Sequence, residues 1–126
     1  MTHDISVSVE PLYLEDKSDP GDGRYVWAYR VRIENKGRDT VQLMSRHWRI
    51  TDGAGTTQEV RGDGVVGEQP VLGPGGVFEY TSGTPLPTPS GFMAGAYEMV
   101  SAKGAKFAVE IPAFSLDSPH QSMAIH

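Results

Sequence analysis

Apolar and polar residues alternate with a period of two through most of this chain. Ile5, Val7 and Val9 alternate with Ser6 and Ser8, which predicts a half-buried strand over residues 4–14. Pro11 interrupts it, and a residue without an N–H belongs at a sheet edge or a bend. The charged, turn-rich stretch EDKSDPGDG at 15–23 predicts a surface loop. The clearest alternation follows, with Tyr25, Trp27, Tyr29, Val31 and Ile33 on one face and Arg30, Arg32 and Glu34 on the other. Burying that face at about 25 cal/mol per Å² is worth several kcal/mol, so this strand sits over the core. Asn35-Lys36-Gly37 ends it.

A third strand is predicted from Val41 to Thr51, but its phase slips. Val41 and Leu43 share one parity while Trp48 and Ile50 share the other, which predicts a β-bulge near Ser45 to His47. Asp52-Gly53 predicts a hairpin turn and Thr56 to Arg61 a short fourth strand. Residues 62–75 are glycine-rich and carry Pro70 and Pro74, hence a long ordered loop. Val77, Phe78 and Tyr80 give a fifth strand. Thr84 to Gly91, with three prolines, gives a stiff loop crossing between sheets. Residues 92–100 and 106–116 complete the set, and Pro112 marks another edge or bend.

No segment sustains a helical period. About seven antiparallel strands separated by turn signals predict an all-β, immunoglobulin/fibronectin type III-like β-sandwich. Tyr97, two residues after Gly95, fits the pattern of a tyrosine corner, or else is an ordinary core tyrosine. The cysteine-free, aromatic core points to the fibronectin type III variety.

Length and composition narrow the function classes. The 126 residues read as a single domain, 1–126, with 116–126 expected to be a flexible tail. Without cysteine there is no disulfide or thiolate site. With no secretory signal at the N-terminus and no run of about 18 apolar residues, the expectation is a cytoplasmic protein without a membrane span. The net charge of -5 disfavours nucleic acid as a partner. The basic cluster Arg30, Arg32, Lys36, Arg38, Arg46 and Arg49 reads as the solvated outer face of neighbouring strands.

Candidate chemistry is sparse. His3, His47, His120 and His126 show no metal-ligand spacing, and Asp16, Asp19 and Asp22 lack a calcium-loop pattern, so no metal or cofactor is expected. There is no nucleophile elbow and no paired-carboxylate motif, which argues against an enzyme. Gly62-Asp63-Gly64-Val65-Val66-Gly67 matches G-x-G-x-x-G, making Arg61, Gly62, Gly64 and Gly67 candidate phosphate-binding residues. No helix follows to supply a dinucleotide-fold context, and Asp63 and Glu68 put negative charge where a phosphate would sit. Arg46, His47 and Trp48 are the candidate partner-binding residues, because tryptophan and arginine contribute disproportionately to interfaces.

The blocks SRHWRITDG (45–53), VRGDGVVGEQPVLGPG (60–75), FEYTSGTPLPTPSGFMAGAYEM (78–99) and FAVEIPAFSL (107–116) resemble the ApaG family of small bacterial proteins. The resemblance implies a fibronectin type III-like sandwich, in agreement with the strand pattern. It also implies a genomic context of diadenosine tetraphosphate hydrolysis and ribosomal RNA dimethylation, and a link to cobalt resistance and magnesium efflux. Related domains in eukaryotic F-box proteins and a polymerase-interacting protein imply protein binding. A chain without a spanning segment is not itself a channel or pump. The expectation is therefore a non-enzymatic protein-interaction module. The alternative is a nucleotide or pyrophosphate binder acting through residues 62–67.

Overall fold

The alternating segments form strands, and the strands form two antiparallel sheets. A computed structural model describes residues 4–120 of the chain. In order the strands are β1 (Ile5–Tyr13), β2 (Tyr25–Asn35), β3 (Val41–Asp52), β4 (Thr57–Asp63), β5 (Val71–Leu72), β6 (Val77–Leu86), β7 (Gly91–Ser101) and β8 (Lys106–Leu116). One sheet runs β1-β2-β6 and the other β4-β3-β7-β8, with the two-residue β5 pairing with β3. Two single 3-10 turns, Glu15–Lys17 and Pro20–Asp22, lie in the 15–23 loop. No helix among the described residues is long and apolar enough to cross a membrane.

The core lies where the alternation puts it. Trp27, Tyr29, Val31 and Ile33 of β2 are buried against Val41, Leu43, Trp48 and Ile50 of β3 and Met93, Tyr97 and Met99 of β7. Trp48 is its aromatic centre, with ring centroids 5.4 Å from Tyr29, 6.0 Å from Phe114 and 6.5 Å from Tyr97, all edge-on. The sandwich closes on one side, where β1 packs against β8.

Several boundaries differ from the sequence reading, each for a tertiary reason. The bulge falls between Leu43 and Ser45, slightly before the expected Ser45–His47. β6 continues to Leu86 through residues expected to be loop, because Val26 to Tyr25 of β2 supply partners for Pro85 and Leu86. A sheet-edge strand accommodates that proline. The crossing loop shrinks to residues 87–90. The Asp52 turn places its left-handed residue at Gly55 (φ 88°), not Gly53, and Asp52 Oδ1 accepts from the N–H groups of Ala54 and Thr56.

Tyr97 is a core tyrosine rather than a corner. Its hydroxyl shares a hydrogen bond with that of Tyr80, which lies in the other sheet. Burial raises both phenol pKa values, Tyr80 to about 12.

The expected flexible tail, 116–126, is held in place over its described part. Leu116 is fully buried, Trp27 Nε1 donates to the Asp117 carbonyl (2.8 Å), and Ser118 Oγ donates to the Pro89 carbonyl (2.6 Å). The His120 ring lies edge-on to Tyr13 and tilted against Tyr25. The indole N–H and the apolar floor give the segment partners that a sequence pattern does not display. Residues 121–126, and with them His126, lie outside the described residues, as does His3.

Candidate functional site

The register of β3 distributes the three partner-binding candidates over both faces. Arg46 lies opposite Gly62 and Tyr97, His47 opposite Arg61 and Ala96, and Trp48 opposite Val60 and Gly95. Alternation turns Trp48 inward, where it is 2% exposed, so it contributes to the core and not to a contact surface. His47 points out. Its Nε2 lies 2.7 Å from Glu59 Oε1, and Arg61 Nη2 lies 3.3 Å from the same oxygen. The hydrogen bond from His47, then that from Arg61, holds the Glu59 carboxyl below the usual carboxylate range.

Arg46 joins the strand to the glycine loop. Its Nη1 donates to the carbonyls of Asp63 (3.1 Å) and Gly64 (2.8 Å). The guanidinium lies against Gly62, where a Cβ would stand 2.9 Å from Nη1. Among the described residues no carboxylate pairs with it.

The loop itself is a small hairpin. The N–H of Val65 donates to the Glu68 carbonyl and that of Glu68 returns to Val65, at 2.8 and 2.9 Å. Val66 and Gly67 between them have φ of 42° and 82°, the pattern of a two-residue type I′ turn. Gly64 (φ 63°) gives its N–H to the Met44 carbonyl at the bulge, and a Cβ there would stand 2.2 Å from the Glu68 carbonyl oxygen. Val65 is fully buried and pins the loop to the core. Of the four phosphate-binding candidates, Gly62 thus makes room for Arg46, Gly64 and Gly67 serve turn geometry, and Arg61 lies exposed beside Glu59. The amides of Gly64, Val65 and Glu68 are already engaged within the protein.

These residues border one open depression of about 440 Å³ on the outer face of the β4-β3-β7-β8 sheet. His47 and Arg61 line it with the acidic Asp63 and Glu98, and the small side chains of Ala96 and Ala108 leave the space. Sequence reasoning missed the two alanines. Their only signal is an outward parity, and nothing local says that β7 brings Ala96 beside His47. His47 makes an acid–base pair with Glu59, but among the described residues no hydroxyl engages it as a nucleophile would. No group of three His, Asp or Glu side chains that could hold a metal occurs among the described residues.

The three-plus-four strand arrangement, with β5 as an addition, defines a fibronectin type III-like β-sandwich with a surface depression on its larger sheet. The sequence pattern of the ApaG domain matches residues 15–101. A Protein ApaG of Paramagnetospirillum magneticum is 67% identical over 120 residues, 95% of this chain and 92% of the relative. A Protein ApaG of Parvibaculum lavamentivorans is 63% identical over 126 residues, covering 100% and 97%. A crystal structure of the putative ApaA protein from Bordetella pertussis superposes with a TM-score of 0.91 at 54% identity, covering 94% of this chain and 96% of that one. The chain belongs to the ApaG family.

Proposed function

We propose that this chain is a non-enzymatic protein-interaction module that receives a partner at the depression beside His47 and Arg61. The observation that carries the reading is the depression itself. It sets the basic His47 and Arg61 and the acidic Asp63 and Glu98 around an alanine floor, on a sheet whose other face is the packed core. A rigid scaffold presenting charges of both signs beside an apolar floor suits a partner side chain with an apolar stem and a charged tip. Arg46 acts from beneath by fixing Gly62 and the loop that borders the depression. The cysteine-free composition fits action in the cytoplasm.

The test is capture of partners from cell extract by the folded chain and by a His47→Ala/Arg61→Ala variant. Loss of specific partners, with no more than the slight fall in melting temperature that freeing Glu59 brings, is the expected result. Equal capture by both proteins refutes the reading.

The alternative reading, a nucleotide or pyrophosphate bound at Arg61, Gly62, Gly64 and Gly67, is favoured only by Arg46, which has no carboxylate partner among the described residues. It predicts saturable amide shifts at residues 61–68 on titration with ATP, pyrophosphate or diadenosine tetraphosphate. A role in cobalt resistance or magnesium efflux would run through a transporter as partner. Adding the ions to the isolated chain would then leave its stability unchanged.

A further inference from the structure

Apart from the two-residue β5, four strands end a sheet, and three of them carry a proline. β1 carries Pro11, β6 carries Pro85 and β8 carries Pro112, while β4, Thr-Gln-Glu-Val-Arg-Gly-Asp, carries no proline and no lysine. Natural sheets guard edges with prolines and with charges; β4 has only the charges Glu59, Arg61 and Asp63, so it is a template for a strand that matches their order. Every residue of β4 except Gly62 is exposed, including the apolar Val60 at 38%.

Which backbone groups are free follows from the ladder. The N–H of Asp52 donates to the Thr56 carbonyl, and that of Gly64 to the Met44 carbonyl. Even-numbered residues of β4 therefore direct their backbone groups at β3. The odd-numbered Thr57, Glu59, Arg61 and Asp63 direct theirs away from the sheet.

The strand is also complementary to itself. If a second β4 runs antiparallel to the first about a two-fold axis at Val60, Glu59 of each copy stands opposite Arg61 of the other. Those are positions whose outward N–H and C=O groups would bond. Val60 then faces its own counterpart across a non-hydrogen-bonded site, where side chains approach closest. A register centred on Glu59 or Arg61 would instead set like charges face to face.

We infer that β4 is a homotypic pairing edge, and that two copies of this chain associate through antiparallel β4 strands centred on Val60 into one continuous sheet. The occupant is a second copy because the charge order Glu59-Val60-Arg61 is its own complement. The inference concerns the edge of the sheet and is independent of the partner proposed for its outer face.

Two experiments test it. Sedimentation at increasing concentration should show a monomer–dimer equilibrium. Arg61→Glu should weaken it by on the order of tenfold, since it puts like charges opposite at both symmetric positions. The swapped variant Glu59→Arg/Arg61→Glu restores the complement and should restore association, whereas a partner recognised by Arg61 itself would not be recovered. In the second experiment, Val60→Cys provides the sole thiol of the chain. It should cross-link under mild oxidation because facing Cβ atoms at such a site lie about 4.5 Å apart. Gln58→Cys, offset from its own copy, should not. A wild-type chain that stays monomeric at millimolar concentration overturns the inference and leaves the edge to a strand from another protein. Equal cross-linking of the two cysteine variants also overturns it, as does unchanged association of the folded Arg61→Glu protein.

Discussion

The two sheets of the sandwich use their outer faces differently. On β1-β2-β6 the outward residues form a charge ladder. Arg30 pairs with Glu79 at 2.9 Å, and Arg32 pairs with Glu34 at 2.9 Å and with Glu79 at 3.4 Å. On β4-β3-β7-β8 the ion pairs among the described residues involve Glu59, His47 and Arg61, and across β7 and β8 Ala96 and Ala108 stand opposite Glu110 and Glu98. Beyond them Phe92 stands half exposed. Both faces alternate equally well, so alternation alone does not distinguish a solvated surface from a usable one. Side-chain size sets what stands around each depression. One of about 490 Å³ on the first face is walled by the paired Arg30, Arg32 and Glu79, whereas the one of about 440 Å³ beside His47 and Arg61 is floored by alanines.

The contrast has a counterpart beneath the surface, and the largest expected effect comes from breaking it there. Gly95 lets β7 approach β3 so closely that a Cβ would stand 2.3 Å from the His47 carbonyl oxygen and 3.1 Å from the Trp48 ring. Gly83 in the other sheet has its nearest neighbour, the Trp27 carbonyl oxygen, at 3.3 Å. Gly95→Ala should cost about 2–4 kcal/mol in urea unfolding, and Gly83→Ala much less. Equal costs would show that the larger sheet is not the tighter one.

Next in size is the hydroxyl pair that joins the sheets. Tyr80→Phe or Tyr97→Phe leaves one buried hydroxyl without a partner and should cost about 1–3 kcal/mol. The double variant should cost less than the sum. The pair also predicts an alkaline limit. A phenol whose folded pKa is raised contributes stability that is complete below its unfolded value of 10.0. That contribution is lost as pH rises through the folded value, about 12 for Tyr80. The wild-type chain should lose stability through that window faster than the double variant.

The glycine loop can be sharpened rather than broken. Val66 holds a left-handed conformation that a β-branched residue resists. Val66→Asn suits the first position of a type I′ turn and should stabilise the chain by about 1 kcal/mol in thermal unfolding.

The smallest effects come from the two faces themselves. Hydrogen bonds from His47 and Arg61 lower the Glu59 pKa, and the hydrogen bond and charge of Arg30, with the charge of Arg32, lower that of Glu79. A lowered folded pKa means that each contribution is present above the ordinary value of 4.5 and fades as pH falls through the folded value. Glu59→Gln and Glu79→Gln should therefore each lower the melting temperature slightly at pH 7, and the differences from wild type should shrink as pH falls below 4.5. A difference that persists in acid would show that packing, not charge, is what the substitution removes.

Alternation in β2 determined which of its faces is buried, because a two-residue period commits Trp27, Tyr29, Val31 and Ile33 to one side whatever the rest of the chain does. Likewise, the slip between Leu43 and Trp48 determined that a bulge must occur, since both must point inward. Its place at Met44, its carbonyl serving Gly64, came only from pairing with β7 and the loop. The glycines of residues 62–67 announced a special backbone but not its purpose. Whether their amides turn inward or toward a ligand depends on Arg46, Met44 and Glu68, brought there by the fold. Tertiary structure alone also set Ala96 beside His47 and left the β4 edge open. Period and propensity act between neighbours in sequence, while a depression or a free edge is defined by which distant strand stands alongside and which does not.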